Sequence, residues 1–422
     1  MVVKFFRKRL RSNSTTFVNH LESMYNINMK RIIILAVFAL VFFGAGCQRT
    51  PEFLGRLYEA QAVKVSGTYA SPVETVKLEE KQVLRTPMPK IVRGIYITAG
   101  TAAGKNMDKI ATSSLAAGIN SFVIDLKDYK GNLAFSHPSL GDLNPKKHYF
   151  DIGPLVEKLH KDNFYLIARI PVFEDTYLAE TKPKLALKNA GGAIWRDNKG
   201  LAWVDPAARE VWQYNLKIAQ VAYAAGFDEI QFDYIRFATD GATNKIVFPF
   251  YKSTEPKYET IKQLFSFLDT ELRQKGVPIS ADLFGITFFN HADYNIGQRF
   301  LDALSAFDFV SPMVYPSHYP AGFRGYKNPA ENPYEIIKIS MESGLNLAKK
   351  NVTSTPEFVQ WTLKKFRPWF QAFDIGAVYN EKKIVDQIRG ACDAGATSGW
   401  LFWNARNVYN FKALGAKRTC VE

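Results

Sequence analysis

The sequence predicts an α/β fold, a (β/α)8 TIM barrel with long βα loops. From residue 91 onward, short runs rich in β-branched and aromatic residues alternate with segments of helical hydrophobic periodicity. Eight such strand-helix units occupy about 325 residues, which fits a (β/α)8 barrel with insertions. A doubly wound sheet would alternate in the same way, but no Gly-rich phosphate loop follows the first strand. The pattern therefore favours the barrel.

Strands and helices follow one another in regular order along this region. The predicted strands span residues 91–98, 121–127, 165–172, 229–237, 278–285, 307–315, 367–373 and 398–404. The predicted helices span residues 151–161, 209–225, 257–275, 297–306, 355–365 and 381–395. Two long connections, about 173–205 after the third strand and 316–333 after the sixth, would lie on the face where barrel enzymes keep their catalytic residues.

The N-terminal region is predicted to be a targeting segment. Lys30 and Arg31 precede a dozen apolar residues and then small residues before Cys47, which is the order of a secretory signal. A membrane-spanning helix needs about 20 apolar residues, so an uncleaved anchor is the less favoured alternative. The junction Gly44-Ala-Gly-Cys47 resembles the lipobox of bacterial lipoproteins, which implies that Cys47 is lipidated.

These features predict a lipoprotein of the cell envelope that is anchored in a membrane and faces the periplasm or the surface. Residues 1–46 form the N-terminal extension and signal peptide in this interpretation. Residues 47–90 form a flexible tether, because they are rich in polar residues and proline and lack sustained periodicity. The barrel spans residues 91–415.

The net charge of +14 is divided unevenly along the chain. Residues 1–46 carry seven Lys or Arg against one Glu, which is +6, and the remaining +8 is scattered without a basic run. Nucleic-acid binding is therefore disfavoured, and the surplus suits an anionic polymer only slightly.

Two cysteines remain beside Cys47. Cys392 lies in a helical pattern, where a buried free thiol is the commoner case. A bridge from Cys392 to Cys420 is the alternative, which the sequence leaves open.

The residue types exclude several enzyme classes. None of the six histidines is spaced like a metal pair, and no G-x-S-x-G elbow, P-loop or redox cysteine pair occurs. Carboxylates at the ends of predicted strands remain. Two carboxyl groups that face each other across a sugar suffice for glycoside hydrolysis, with neither a metal nor a cofactor. The candidate carboxylates are Asp125, Asp128, Glu174, Asp175, Asp233 and Asp282.

Asp233 is the central candidate among them. In the fourth strand, polar residues alternate with apolar ones at Glu229, Gln231 and Asp233. Because helices cover the outer face of such a strand, this row is predicted to point into the barrel, with Asp233 near the mouth. The alternative is a buried ion pair of Asp233 with Arg236 that only orients a loop.

Residues suited to binding a carbohydrate accompany these carboxylates. Aromatic rings can stack on a sugar, although core packing is at least as common a role for each of them. Polar side chains at strand ends could bond hydroxyl groups. The predicted substrate-binding residues are Asp125, Lys127, Trp203, Arg236, Tyr315, Gln371, Trp403 and Asn404.

Five segments in order resemble a known family. They are VRGIYIT at 92–98, VIDLKD at 123–128, GFDEIQFDYIRF at 226–237, SPMVYP at 311–316 and RPWFQ at 367–371. Together they resemble the glycoside-hydrolase-like domain family of the TIM-barrel glycosidase clan, a bacterial family of unknown function with an α-amylase-like barrel. The resemblance covers about residues 91–410.

This resemblance implies catalytic roles for two residues. By analogy with α-amylase-like enzymes, Asp233 on the fourth strand is the nucleophile and Asp282 on the fifth is the acid/base. Those enzymes carry Arg two residues before the strand-four Asp, where this chain has Gln231, and their strand-five acid is Glu. A wider carboxylate pair, an inverting mechanism, or Glu174 as the acid therefore stays open.

The predicted function is a lipid-anchored glycoside hydrolase that cleaves a poly- or oligosaccharide. A catalytically inactive, glycan-binding barrel of the envelope is the main alternative, and a non-glycosidic hydrolase or lyase is a third. The predicted partners are a carbohydrate substrate and a membrane contacted through the N-terminal lipid. No oligomeric state is indicated.

Overall fold

The computed structural model describes residues 84–145, 147–289, 293–351, 356–416 and 420. Within them, eight parallel strands close a barrel in chain order, which confirms the predicted (β/α)8 TIM barrel. The strands are β1 (Val92–Ile97), β2 (Ser121–Asp125), β3 (Tyr165–Pro171), β4 (Glu229–Asp233), β5 (Ile279–Phe284), β6 (Phe309–Met313), β7 (Trp369–Gln371) and β8 (Gly399–Trp403). The predicted signal segment, Cys47 and most of the predicted tether lie outside the described residues.

Helices cover the outside of the barrel and lie in the connections between strands. They are α1 (Ala99–Ala103), α2 (Asn106–Ala116), α3 (Ile152–His160), α4 (Thr176–Thr181), α5 (Arg209–Ala224), α6 (Lys257–Glu271), α7 (Phe300–Ala306), α8 (Pro333–Asn351), α9 (Pro356–Leu363), α10 (Glu381–Asp393) and α11 (Phe411–Leu414). The six predicted helices are present as α3, α5, α6, α7, α9 and α10. No helix in the described part of the chain is long and apolar enough to cross a membrane.

Two of the longer helices, α2 and α8, were not predicted. The buried stripe of α8 includes Ser340 and Gly344, and that of α2 includes Ser114. Such small residues weaken the hydrophobic periodicity on which a helix prediction depends. The side chains are nevertheless buried because neighbouring elements approach closely, as where α8 packs on α10.

The apolar core has two layers. The larger layer lies between the strands and the surrounding helices. A smaller layer fills the barrel interior with side chains that include Tyr96, Val123, Ile167, Trp369 and Leu401. Strands buried on both faces explain the nearly continuous apolar runs in the sequence.

The polar row of β4 points into the barrel, as its alternation predicted. At the amino-terminal end of the strands, buried Glu229 accepts hydrogen bonds from Tyr165 at 3.0 Å and Ser280 at 2.5 Å and pairs with Arg367. In the middle, Gln231 donates to Ser311 at 3.3 Å. Asp233 therefore reaches the opposite, carboxyl-terminal end of the barrel.

The described part of the predicted tether already contacts the barrel. Arg85 donates to the carbonyl oxygens of Phe227 at 2.6 Å and Tyr223 at 2.7 Å, and its guanidinium lies over the Tyr223 ring. The Thr86 amide donates to Asp228 Oδ1 at 2.9 Å. Residues 84–90 thus pack where the chain enters β4, near the amino-terminal end of the strands.

A disulfide joins Cys392 on α10 to Cys420, with their Cα atoms 4.8 Å apart. The expectation of a free thiol at Cys392 is therefore wrong. The bond ties the chain end to the last large helix, a non-local pairing that the helical pattern around Cys392 could not reveal.

Candidate functional site

A cavity of about 550 Å³ opens at the carboxyl-terminal ends of the strands. Its volume lies within the usual range for small-ligand sites, about 300–1,000 Å³. The lining combines two of the predicted catalytic carboxylates, Asp233 and Asp282, with several aromatic rings and three cations. Its residues include Arg169, Lys199, Asp233, Tyr234, Arg236, Asp240, Asp282, Phe284, Met313, Tyr315, His318, Tyr319, Trp369 and Trp403.

Arg169 on β3 lies at the centre of the carboxylate cluster. Its Nη1 donates to Asp125 Oδ1 at 2.6 Å. Its Nη2 and Nε both donate to Asp233 Oδ2, at 2.5 and 3.1 Å. Its Nε also lies 3.9 Å from Asp282 Oδ2. One buried guanidinium therefore faces three buried carboxyl groups, so this cluster has fewer positive charges than acids.

Asp125 is a structural member of this cluster. It accepts hydrogen bonds from Arg169 and from the Tyr96 hydroxyl, which occupy both of its oxygens. Burial raises the pKa of the Asp125 carboxyl, and the Arg169 charge opposes that shift. Asp125 was predicted to bind substrate. In the structure it orients Arg169, and it does not line the cavity.

Both oxygens of the Asp233 carboxyl group accept hydrogen bonds. Its Oδ2 accepts from Arg169, and its Oδ1 accepts from the amide of Tyr234 at 2.6 Å. Tyr234 adopts a positive φ of 51°, which a non-glycine residue takes only at a cost of about 1–2 kcal/mol. Such strain is typical of functional sites, and here it accompanies the amide contact that orients the carboxylate.

Asp282 on β5 has the opposite environment. Its Oδ1 accepts from Trp369 Nε1 at 2.7 Å, whereas its buried Oδ2 has no hydrogen-bond partner among the described residues. Burial and the neighbouring Asp233 charge raise the pKa of Asp282 well above its ordinary value. A raised pKa favours the protonated form of the Asp282 carboxyl, which is the form that a general acid needs.

The two carboxyl groups lie close together. Asp233 Oδ2 and Asp282 Oδ2 are 3.1 and 3.9 Å from the same Arg169 Nε, so they cannot be more than about 7 Å apart, the sum of those distances. Retaining glycosidases place their carboxyl groups about 5–5.5 Å apart and inverting ones about 6.5–9.5 Å. The upper limit admits the retaining spacing and only the short end of the inverting range.

The guanidinium that pairs with Asp233 belongs to Arg169 and not to Arg236. The alternative of an Asp233–Arg236 ion pair is wrong, because Asp233 pairs with Arg169. Arg236 instead donates from Nη1 to the Phe237 carbonyl at 3.0 Å and to Thr239 Oγ1 at 3.1 Å. Arg169 on β3 is level with Gln231 on β4, so the cation that pairs with Asp233 comes from the neighbouring strand.

Glu174 lies beside the cavity, after β3. Burial raises its pKa to about 7, and the charges of Asp197 and Asp233 act in the same direction while those of Arg236 and Lys199 oppose the shift. Glu174 does not line the cavity itself. It therefore stays a candidate proton donor, less directly placed than Asp282.

Aromatic side chains form one wall of the cavity. Trp403 stacks on Tyr96 with ring centroids 3.7 Å apart and meets Trp369 edge to face at 5.7 Å. The Arg169 guanidinium lies 4.8 Å from the Trp403 ring. Tyr315 also lines the cavity, beside the ring of His318. These two predicted substrate-binding aromatics, Trp403 and Tyr315, are thus brought to the carboxylates.

Other predicted binding residues support the site from outside the cavity. Trp203 is buried, donates to Asp197 at 3.2 Å and packs against Arg236. Gln371 donates to the carbonyls of Phe373 and Ile375, and Asn404 donates to those of Ala372 and Val408. Gln371 and Asn404 therefore shape the loops after β7 and β8.

Lys127 lies away from the cavity. It is fully buried and donates to Asp175 Oδ2 at 2.8 Å and Asn215 Oδ1 at 2.9 Å. Since β2 ends at Asp125, the chain has already turned toward α5 at Lys127. We therefore do not count Lys127 among the residues that reach substrate.

Sequence reasoning missed Arg169. A signal was present, since Arg169 is the one charged residue in the run Tyr165–Pro171, where every residue is buried. A charged side chain in such a strand needs a charged partner inside the protein. In the sheet, Arg169 is level with Asp125 on β2 and with Gln231 on β4. This position between the two strands explains why its guanidinium reaches both Asp125 and Asp233.

Comparison with known proteins gives the family and the fold. Residues 94–409 match the family described as "Putative glycosyl hydrolase domain". No curated protein sequence matches the chain. A solved hypothetical protein from Ruminiclostridium thermocellum ATCC 27405 is 31% identical over 44% of this chain and 96% of its own, with a TM-score of 0.41.

The glycoside hydrolase domain of PgaB (BpsB) from Bordetella bronchiseptica covers 77% of this chain and 98% of its own length, with a TM-score of 0.54. At 12% identity this likeness concerns the fold alone. The family match spans the whole barrel and includes every carboxylate described above, which confirms the resemblance seen in the sequence motifs. The chain therefore belongs to the family described as "Putative glycosyl hydrolase domain".

Proposed function

We propose that this protein is a glycoside hydrolase in which Asp233 is the nucleophile or base and Asp282 is the general acid. One observation carries the proposal: Arg169 donates twice to Asp233, while the buried Oδ2 of Asp282 has no partner among the described residues. Two carboxyl groups with opposite protonation are what cleavage of a glycosidic bond requires.

The protonation states follow from the contacts. Asp233 accepts hydrogen bonds from the Arg169 guanidinium and from the Tyr234 amide, contacts that suit a negatively charged nucleophile or base. Asp282 is desolvated beside that negative charge, so the protonated form is favoured. Its proton can pass to the leaving-group oxygen while Asp233 attacks the anomeric carbon or activates a water. Both groups line the same cavity, so one sugar can contact both.

The spacing admits the covalent, retaining course. The upper limit of about 7 Å between the two Oδ2 atoms includes the retaining geometry in full. Proton NMR of the first released sugar distinguishes the outcomes, because a retaining enzyme releases the anomer of the substrate and an inverting one releases its opposite.

We also propose that the enzyme acts at the cell envelope as a lipoprotein anchored through Cys47. The signal-like segment before Cys47 supports this, as does the Cys392–Cys420 disulfide, because disulfides persist mainly in exported proteins. The substrate would then be an envelope or extracellular poly- or oligosaccharide.

A glycan panel tests the enzymatic proposal. Residues 84–422 are incubated with poly- and oligosaccharides of varied linkage, and release of reducing ends is measured beside glycan binding. We expect at least one substrate to be cleaved by the wild type and not by Asp282→Asn. Binding without any release of reducing ends would instead support the inactive, glycan-binding barrel.

A further inference from the structure

Arg236 is a buried cation with no acidic partner among the residues that the structure describes. Its side chain is 8% exposed and lines the cavity, yet no carboxylate oxygen of the described residues lies within 4 Å of its guanidinium. Three other buried cations each have one: Lys127 with Asp175, Arg169 with Asp125 and Asp233, and Arg367 with Glu229. Buried Lys365 is held by two carbonyl oxygens and does not line the cavity.

An unpaired buried charge is expensive, because its lost hydration is not replaced. Burial accordingly lowers the pKa of Arg236 from its ordinary value. Three aromatic rings nevertheless pack against the guanidinium. The ring centroids of Trp203, Tyr234 and Phe284 lie 4.9, 5.2 and 4.7 Å from its central carbon. The guanidinium therefore lies among three aromatic rings, which offer cation–π contacts in place of an acidic partner.

The edge of the Arg236 guanidinium formed by Nε and Nη2 is the one that suits planar anions. Both hydrogen bonds of Arg236 to described residues come from Nη1. Nε and Nη2 therefore keep two parallel N–H groups, which match the two oxygens of a carboxylate. Exposed Lys199 also lines the cavity and adds a second positive charge to it.

Nearby acids do not satisfy this edge. The Arg236 charge opposes the rise in the pKa of Glu174, but no ion pair joins the two residues within 4 Å. The pKa of Glu174 is still raised to about 7, which leaves the carboxyl partly protonated at neutral pH. Asp240 accepts instead from Asn198 at 2.6 Å and from the Gly241 amide at 2.9 Å. Asp233 is engaged by Arg169.

We propose that the sugar bound in this cavity carries a carboxylate, as a uronic acid does, and that the Nε and Nη2 edge of Arg236 pairs with it. This inference rests on the proposed function, since it names the substrate class of the same site. Arg236 follows Asp233 by three residues and lines the same cavity, so the acidic sugar lies at or next to the bond that is cleaved.

Matched ligands test the charge preference apart from catalysis. Binding of uronic-acid oligosaccharides is compared by calorimetry with the neutral oligosaccharides of the same linkage, and with sulfated forms of the neutral ones. We use the wild type and Asp233→Asn, so that turnover does not consume the ligand. We expect the uronic acid to bind at least about tenfold more tightly than its neutral counterpart, with the difference shrinking as salt is added.

Variants of Arg236 then assign the preference to this side chain. Arg236→Gln should abolish the preference, and Arg236→Lys should retain only part of it, because an ammonium lacks the fork. Arg389→Gln, on the exposed face of α10, is the matched control and should keep the wild-type ratio. Thermal melting of each variant identifies those that remain folded.

Three results would overturn the inference: equal or tighter binding of the neutral sugar, a preference for sulfate over carboxylate, or an undiminished preference in folded Arg236→Gln. Failure of the proposed function is a different result. If the proposed function fails, acidic sugars bind with the expected preference, but neither the wild type nor any control variant releases reducing ends from them.

Discussion

Arg169 on β3 donates two hydrogen bonds, of 2.5 and 3.1 Å, to a single oxygen of Asp233 on β4. The same guanidinium bonds Asp125 and lies near Asp282. Because one cation serves three acids, the carboxyl groups cannot all be ionised without a large electrostatic penalty. The two carboxyl groups therefore differ in environment, since Asp233 accepts from Arg169 while the pKa of Asp282 is raised by burial and by the neighbouring Asp233.

Replacing Asp233 by Asn should remove catalysis. Asp233→Asn keeps the shape of the side chain and loses the negative charge, so we expect turnover to fall by about 10²- to 10⁴-fold or more. Reducing-end release on the best panel substrate measures the loss. Asp108→Asn, at an exposed aspartate of α2, is the control. Wild-type turnover in Asp233→Asn would assign the chemistry to another acid.

Removing the Arg169 charge should destabilise the barrel. Arg169→Met leaves Asp125 and Asp233 buried without a cation, and breaking such a pair costs about 3–5 kcal/mol. Urea unfolding measures the change. The uncompensated carboxyl groups then take up protons more readily in the folded state, so the loss should be larger at pH 8 than at pH 5. Arg169→Lys keeps the charge and should lose less. Equal stability of Arg169→Met and the wild type would contradict the ion-pair assignment.

Glu174 should make the protein less stable as pH rises. Its pKa is about 7 in the folded state against an ordinary value of 4.5, so between these values the folded protein holds a proton that the unfolded chain releases. The free energy of unfolding should therefore decrease across this window, by up to about 3 kcal/mol. Glu174→Gln should show a smaller decrease than the wild type, while Asp125 and Asp282, whose pKa values are also raised, still contribute to it. Urea titrations of both proteins at pH 5 and pH 8 would detect the difference.

The same variant decides between the two candidate acids. With Asp282 as the proton donor, Glu174→Gln should retain turnover within about tenfold, whereas Asp282→Asn should lose about 10²- to 10⁴-fold. The reverse order of effects on reducing-end release would make Glu174 the acid.

The disulfide should contribute measurably to stability. Cys392 and Cys420 are 28 residues apart, and closing a loop of that length stabilises the folded state by about 3.5 kcal/mol in the chain-entropy description. A thermal melt of Cys392→Ser should show a lower midpoint than the wild type. Reductant should lower the midpoint of the wild type and leave that of the variant unchanged. No effect in either case would mean that the bond does not form in solution.

Lipid attachment at Cys47 should hold the full chain in the membrane fraction. Cys47→Ala removes the acceptor thiol, and we expect the protein to lose its membrane association while Gln48→Ala retains it. Fractionation of cells that produce each variant, followed by immunoblotting, makes the comparison. An unchanged membrane fraction for Cys47→Ala would show that another segment anchors the protein.

The sequence by itself determined the barrel and the location of its chemistry. Hydrophobic patterns are local properties, and eight alternating units have few ways to bury their strands on both faces. Because parallel strands present their carboxyl ends at one edge, Asp233 and Asp282 on consecutive strands were expected at the same mouth, and both line the cavity there. Small buried residues such as Gly344 are the exception, since they hid α8 from the pattern.

Tertiary structure decided which charges meet. Arg169 and Arg236 both lie in predicted strands. The register of β3 places Arg169 against Asp233, while the turn after β4 directs Arg236 toward Thr239 and three aromatic rings. Lys127 follows a strand that ends two residues earlier, so its side chain pairs with Asp175 instead of reaching the mouth. Pairings of this kind join residues far apart in the chain, and they depend on strand register and loop direction, which local residue patterns do not encode.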